Sequence, residues 1–97
     1  MRLADDITRM SVPKGGVGIF WVGQAGFVLK TDDGRLIGID LYLSDCCERY
    51  FGFQRIMPYL LEPHEIAFDE LLISHAHYDH FDVDAVPMLF CPRTHMI

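Results

Sequence analysis

The sequence predicts an α+β domain made of an antiparallel strand meander, a metal-binding loop and a helix. Two observations predict it. Three short runs rich in β-branched and aromatic residues follow one another within residues 15–40, separated by glycine-containing turns. Later, a short apolar run ends directly at His75-Ala76-His77-Tyr78-Asp79-His80, and a helix with a capping residue follows it.

Residues 1–14 form a polar lead-in, with Ile7 and Met10 three apart and a break at Pro13, which suits a short helix or a loose entry. The run Val17 to Val22 reads as a strand that Gly23-Gln24 interrupts. A second strand spans Ala25 to Lys30. The Thr31-Asp32-Asp33-Gly34 stretch then gives a hairpin turn, because Gly accepts positive φ without strain. Arg35 to Asp40 returns from that turn and completes the meander. Gly23-Gln24-Ala25-Gly26 is a poor phosphate loop, since it lacks the Lys-Ser/Thr ending and opens no helix.

Residues 41–66 lose periodicity and gather aromatics, cysteines and prolines, among them Tyr50, Phe51, Phe53, Pro58, Tyr59 and Pro63. A segment this long and aperiodic reads as a functional loop or lid, or as a loop with a short helix capping the core. Within it Arg49 and Arg55 are candidate anion contacts, with solvated surface charge as the plainer alternative. Residues 67–97 hold a buried strand over Leu71 to Ser74, the histidine loop and a helix. Asp82 can cap that helix through Val83, Ala85, Val86, Met88 and Leu89. Pro87 is tolerable only near its first turn, and Cys91-Pro92-Arg93 closes it. Thr94 to Ile97 has the look of another strand beginning.

With 97 residues there is room for one small domain, 1–97. A chain of this size buries about 60–65% of its unfolded surface, so its stability margin is thin and a metal or a partner would help. The 51% hydrophobic content excludes a disordered segment. No apolar run reaches the roughly 18–20 residues of a membrane span, and the first residues lack the basic-then-apolar order of a secretory signal. The expected location is the cytoplasm, with no membrane partner. A net charge of −6 with eight Lys and Arg argues against a nucleic-acid partner. Three cysteines, including adjacent Cys46 and Cys47, suit a reducing compartment and read as ordinary thiols.

The hexapeptide carries the chemistry. Chance matches to its His-x-His-x-Asp-His pattern, given this composition, are expected roughly once in a thousand such chains. In an extended turn His75 and His77 project to one side and can reach one cation, while Asp79 and His80 can hold a second. Neutral imidazole with a carboxylate suits Zn, Mn, Fe, Co or Ni. Two such ions about 3.5–4 Å apart would share a water of lowered pKa, a nucleophile for carbon or phosphorus. Three imidazoles packed together without a cation would cost desolvation and repulsion on protonation. The isolated His64 and His95 read instead as satisfied core residues. Asp40, ending the third strand, can hydrogen-bond the backbone or a ligating His of the metal loop; a plain strand-end turn carboxylate is the alternative. Ser74 reads as structural.

These residues match a family. The His75 to His80 motif, preceded by Phe20-Trp21-Val22-Gly23-Gln24-Ala25-Gly26-Phe27 and by the strand ending in Asp40, is similar to the start of metallo-β-lactamase superfamily hydrolases. Trp21 to Phe27 and Ile39-Asp40-Leu41-Tyr42-Leu43-Ser44-Asp45 look like the branch of ascorbate-6-phosphate lactonases and related predicted hydrolases. The resemblance implies the N-terminal half of an αββα sandwich and a dinuclear site, with Zn or Mn as the expected ions. His75 and His77 would hold the first metal, Asp79 and His80 the second, and Asp40 would buttress the loop. Asp79 would also orient the attacking hydroxide, making it the candidate catalytic residue. The implied reaction is hydrolysis of a lactone, ester or related bond in a small anionic substrate such as a sugar phosphate.

Family members are commonly more than twice this length, and their later half supplies another His, a bridging Asp and a final His. The chain thus holds four of the roughly seven ligand positions of the implied site, so an incomplete domain is expected. Half a sandwich would expose an apolar sheet face and strand edges, favouring a homo-oligomer or a complementary C-terminal chain. A catalytically silent metal-binding or oligomerising module is the alternative reading. A phosphodiesterase or nuclease relative is another, and the acidic balance argues against it.

Overall fold

The computed structural model describes residues 2–55, 59–89 and 94–97. Its elements are helix α1 (Leu3–Arg9), strands β1 (Val17–Gly23), β2 (Gly26–Thr31) and β3 (Leu36–Ile39), helix α2 (Cys46–Phe51), a 3₁₀ turn (Pro63–Glu65), strand β4 (Glu70–Leu72), helix α3 (Val86–Leu89) and strand β5 (His95–Met96). The fold is mixed α+β, with short helices and one five-stranded sheet in the order β1-β2-β3-β4-β5. The Cys91-Pro92-Arg93 helix stop and Pro58 lie outside the described residues.

The first three strands form the expected antiparallel meander. Gly34 takes φ +88° in the second turn and donates to the Thr31 carbonyl at 3.0 Å. The sheet then changes sense. β4 pairs parallel with β3, with Ile39 opposite Leu72, and β5 pairs parallel with β4. Parallel neighbours release the chain at the same sheet end, so the residues after β3 and β4 emerge side by side. That register brings Asp40 to the start of the histidine loop.

One sheet face is closed and the other is open. Val22, Val28 and Leu71 point into a core completed by Ile7 of α1, Leu41, Leu43, Leu61, Phe68 and Leu89. Gly38 is tightly enclosed there: a Cβ would stand 2.7 Å from Leu41 Cδ1 and 3.0 Å from Leu71 Cδ2. Lys30 is buried on this face and donates to the carbonyls of Ile7 at 2.8 Å and Thr8 at 2.9 Å. It thus places a cation at the C-terminal end of α1, where helix carbonyls lack partners. On the opposite face Val17, Ile19, Trp21 and Phe27 remain exposed, with the half-buried Leu29, Ile37, Ile39 and Leu72 beside them.

Asp82 ties the segment after β3 to the segment after β4. Its side chain is fully buried and accepts from the Leu43 and Ser44 amides at 2.9 Å each, from Ser44 Oγ at 2.7 Å, and from the Asp84 and Ala85 amides. The helix expected from Val83 begins only at Val86, because Asp82 holds residues 83–85 as a turn through its side chain. Pro87 then sits in the first turn, where its missing N–H removes no bond.

His64 and His95 correct the expectation of core histidines: both are exposed. In the 3₁₀ turn Pro63 is buried while His64 faces out. His95 pairs with Glu70 on the open sheet face, which no other element covers among the described residues.

Candidate metal centre

β4 hands the chain into the turn that carries Ser74 to His80. The first contacts are to Asp40, which takes a left-handed φ of +47° just after β3. Asp tolerates this conformation better than most residues, and strained backbone of this kind concentrates at functional sites. The turn aims the carboxylate at the loop. Asp40 Oδ1 accepts from the Ser74 amide at 2.7 Å, and Oδ2 accepts from Ser74 Oγ at 2.6 Å and faces His80 Nδ1 at 3.1 Å. Burial opposes ionisation of Asp40, yet the hydrogen bonds from Ser74 and His80 hold its carboxyl below the ordinary carboxylate range.

This network sets the imidazoles. His80 Nδ1 donates to Asp40, so its lone pair sits on Nε2, 3.6 Å from Asp79 Oδ2. Ser74 Oγ spends its proton on Asp40 and therefore accepts from His75 Nδ1 at 2.8 Å. His75 then also carries its lone pair on Nε2, which faces His77 Nδ1 at 3.1 Å. Two ring nitrogens this close need a proton or a cation between them. The three rings form one cluster, His75 lying 4.6 Å from His77 and 4.1 Å from His80 between centroids. The structure thus brings together His75, His77, Asp79, His80 and Asp40.

The chemistry of this donor set fits a divalent cation. Two nitrogens bound to one tetrahedral ion at about 2.0–2.1 Å lie about 3.3–3.4 Å apart, close to the His75–His77 spacing of 3.1 Å. Among the described residues no three His, Cys, Asp or Glu side chains stand ready arranged around one point. His77 and Asp79 are the outer members, since His75 and His80 are anchored through Ser74 and Asp40.

A cavity of about 600 Å³ opens beside His77 and Asp79. Its wall comes from the β1–β2 turn (Gln24), from Tyr42 after β3, and from α2 and the residues following it, with Phe51, Phe53 and Arg55. Compared with models of known protein families and with curated proteins, the chain matches none. The site's reading therefore rests on its own atoms.

The wall residues Tyr42, Phe51, Phe53 and Arg55 fall in the 41–66 segment, expected to be a functional loop or lid, or a loop with a short helix capping the core. The Tyr42 hydroxyl accepts from the Cys47 amide at 3.2 Å. Burial, and after it the Cys47 side chain, raise the phenol above its ordinary range and outweigh the opposing effect of the amide contact, keeping it protonated. Cys46 and Cys47 are free thiols. Of the two candidate anion contacts, Arg55 lines the cavity and Arg49 does not. Arg49 pairs with Asp84 and Asp45.

Proposed function

We propose that this chain carries the His/Asp part of a metal-dependent hydrolase site of the metallo-β-lactamase type, in an αββα half-sandwich, cleaving a lactone, ester or related bond. One observation carries the reading: three imidazoles and one carboxylate cluster at the end of β4, with the buried carboxylate of Asp40 holding His80 directly through Nδ1 and His75 through Ser74 Oγ. That arrangement is the pattern in which ligating histidines are oriented from behind, which raises their basicity and fixes their tautomer. His75, His77, Asp79 and His80 would hold one or two divalent ions, Zn or Mn by donor type. Such ions supply Lewis acidity and lower the pKa of water.

The chain's own residues do the rest. Asp40 keeps the Nε2 lone pairs of His75 and His80 available. Asp79 Oδ2, beside His80 Nε2, accepts a hydrogen bond from the attacking water and aligns it. The cavity beside His77 and Asp79 seats the substrate. Hydrolysis adds water across the acyl C–O bond, the hydroxyl joining the carbonyl carbon and the proton passing to the leaving oxygen. The free thiols Cys46 and Cys47 favour a reducing compartment, the cytoplasm, as its location.

The open apolar face, with Val17, Ile19 and Trp21 each more than half exposed, favours a second reading beside the first. In it the chain associates through that face, with another copy or with a complementary chain that brings further ligands. The test of function is metal analysis together with lactone, ester and phosphodiester hydrolysis. Metal-dependent opening of a lactone or ester supports the hydrolase; a chain that binds metal and turns over none of these is the silent module.

A further inference from the structure

The family resemblance implies a small anionic substrate such as a sugar phosphate, yet the cavity lining has a different chemistry. Phe51 and Phe53 follow one another around the C-terminal end of α2, with ring centroids 6.4 Å apart. Tyr78 of the histidine loop stands 5.5 Å from Phe51, so the loop carrying the candidate ligands and the aromatic wall are one packed unit. Phe53 is 70% exposed and Phe51 58%. Apolar rings left this open and grouped around a concave site are the mark of a surface that closes on a ligand.

Positive charge, which a phosphate requires, is committed elsewhere. Arg55 is the cation of the wall, but its Nη1 donates to the Tyr42 carbonyl at 2.9 Å and the Ser44 carbonyl at 3.3 Å. Its guanidinium lies 5.0 Å over the Tyr42 ring and 4.5 Å over the Tyr59 ring. It therefore serves as a brace for the wall, its charge answered by backbone and ring faces. Asp79 adds a carboxylate to the cavity lining, and the chain as a whole carries a charge of −6. A phosphorylated sugar would meet aromatic faces where its phosphate needs hydrogen-bond donors.

We propose that the substrate is an ester or lactone whose bulk is a flat apolar group, an aryl ring, seated against Phe51, Phe53 and Tyr78 with its carbonyl towards His77 and Asp79. The proposal rests on the hydrolase reading for the word substrate, and on the cavity for its chemical class. A volume of about 600 Å³ admits a fused aryl lactone with room to spare. Aromatic stacking is tolerant of the ligand's exact outline, so the expected specificity is for flatness and low polarity.

The test is an amide-resolved NMR titration of the whole chain, without added metal, with dihydrocoumarin as the aryl lactone and 6-phosphogluconate as the sugar phosphate. Dihydrocoumarin should shift the Phe51, Phe53 and Tyr78 signals saturably, and 6-phosphogluconate should not. The double variant Phe51→Ala/Phe53→Ala should raise the dihydrocoumarin Kd at least tenfold with the sheet signals unchanged. The comparison of the two ligands on the unaltered chain decides the matter even if that variant fails to fold. Absence of saturable dihydrocoumarin binding, equal or tighter binding of 6-phosphogluconate at these residues, or an unchanged Kd in a folded double variant would each overturn the proposal. Neither metal nor turnover enters this measurement. Aryl-lactone binding without metal-dependent hydrolysis would therefore count against the hydrolase alone, and hydrolysis confined to sugar-phosphate lactones against the aryl class alone.

Discussion

Asp40 does three things at once: it turns the chain at φ +47°, fixes Ser74, and holds His80 by Nδ1. Asn tolerates the same backbone conformation but offers one acceptor oxygen and no charge. Asp40→Asn should therefore leave the fold intact and weaken divalent-metal affinity about 10–100-fold, read by calorimetric titration. Cys46 gives a prediction of a different kind. Burial, aided by the nearby Asp82 carboxylate, pushes its thiol up to about 11 from 9.0. The folded pKa is raised, so the folded chain keeps a proton that the unfolded chain loses. The stabilisation is full below about pH 9 and is lost as pH rises to about 11. Urea unfolding across that window should show the stability difference between the native chain and Cys46→Ala shrinking with rising pH.

The elements that sequence pattern made legible are those with local causes. The Asp33-Gly34 turn and the alternation on either side of it place β2 and β3, and the apolar run at Leu71 places β4. What pattern could not supply is that β4 lies parallel beside β3, because a three-residue strand has no signature for its partner. Yet that pairing sets Asp40 against Ser74 and makes the candidate site. Asp82 was legible only as a helix cap. Its second role, receiving the Leu43 and Ser44 amides from across the fold, depends on contacts 38 and 39 residues apart. Asp82→Ala would leave those buried donors without partners, and should destabilise the chain by about 3 kcal/mol or more in urea denaturation.

For the whole molecule, the sheet's two faces divide the physics. One face closes over the core, and a domain of this size gains little margin from a single core. The other presents Val17, Ile19, Trp21 and Phe27 to solvent. Chain length signalled the thin margin, but which residues would remain uncovered was set by the alternation of β1 against β2, Ile19 opposite Leu29 and Trp21 opposite Phe27. Ile19→Lys places a charge at the centre of that patch. If the chain associates through that face, the variant should sediment as a monomer at concentrations where the native chain self-associates, with the core, on the opposite face, unchanged. The cavity wall was legible only as a functional loop or lid over 41–66; that Tyr42 and Phe53 line one cavity with Tyr78 of the histidine loop depends on packing between segments distant in sequence.

The central claim is that His75, His77, Asp79 and His80 hold divalent cations, and calorimetric titration of the metal-stripped chain with Zn or Mn, alongside His77→Ala, tests it most directly. Saturable binding of at least one ion per chain, weakened about 100-fold or more in the variant, is the predicted result. A chain that takes up neither ion, or a His77→Ala variant that binds as tightly as the native chain, would contradict it.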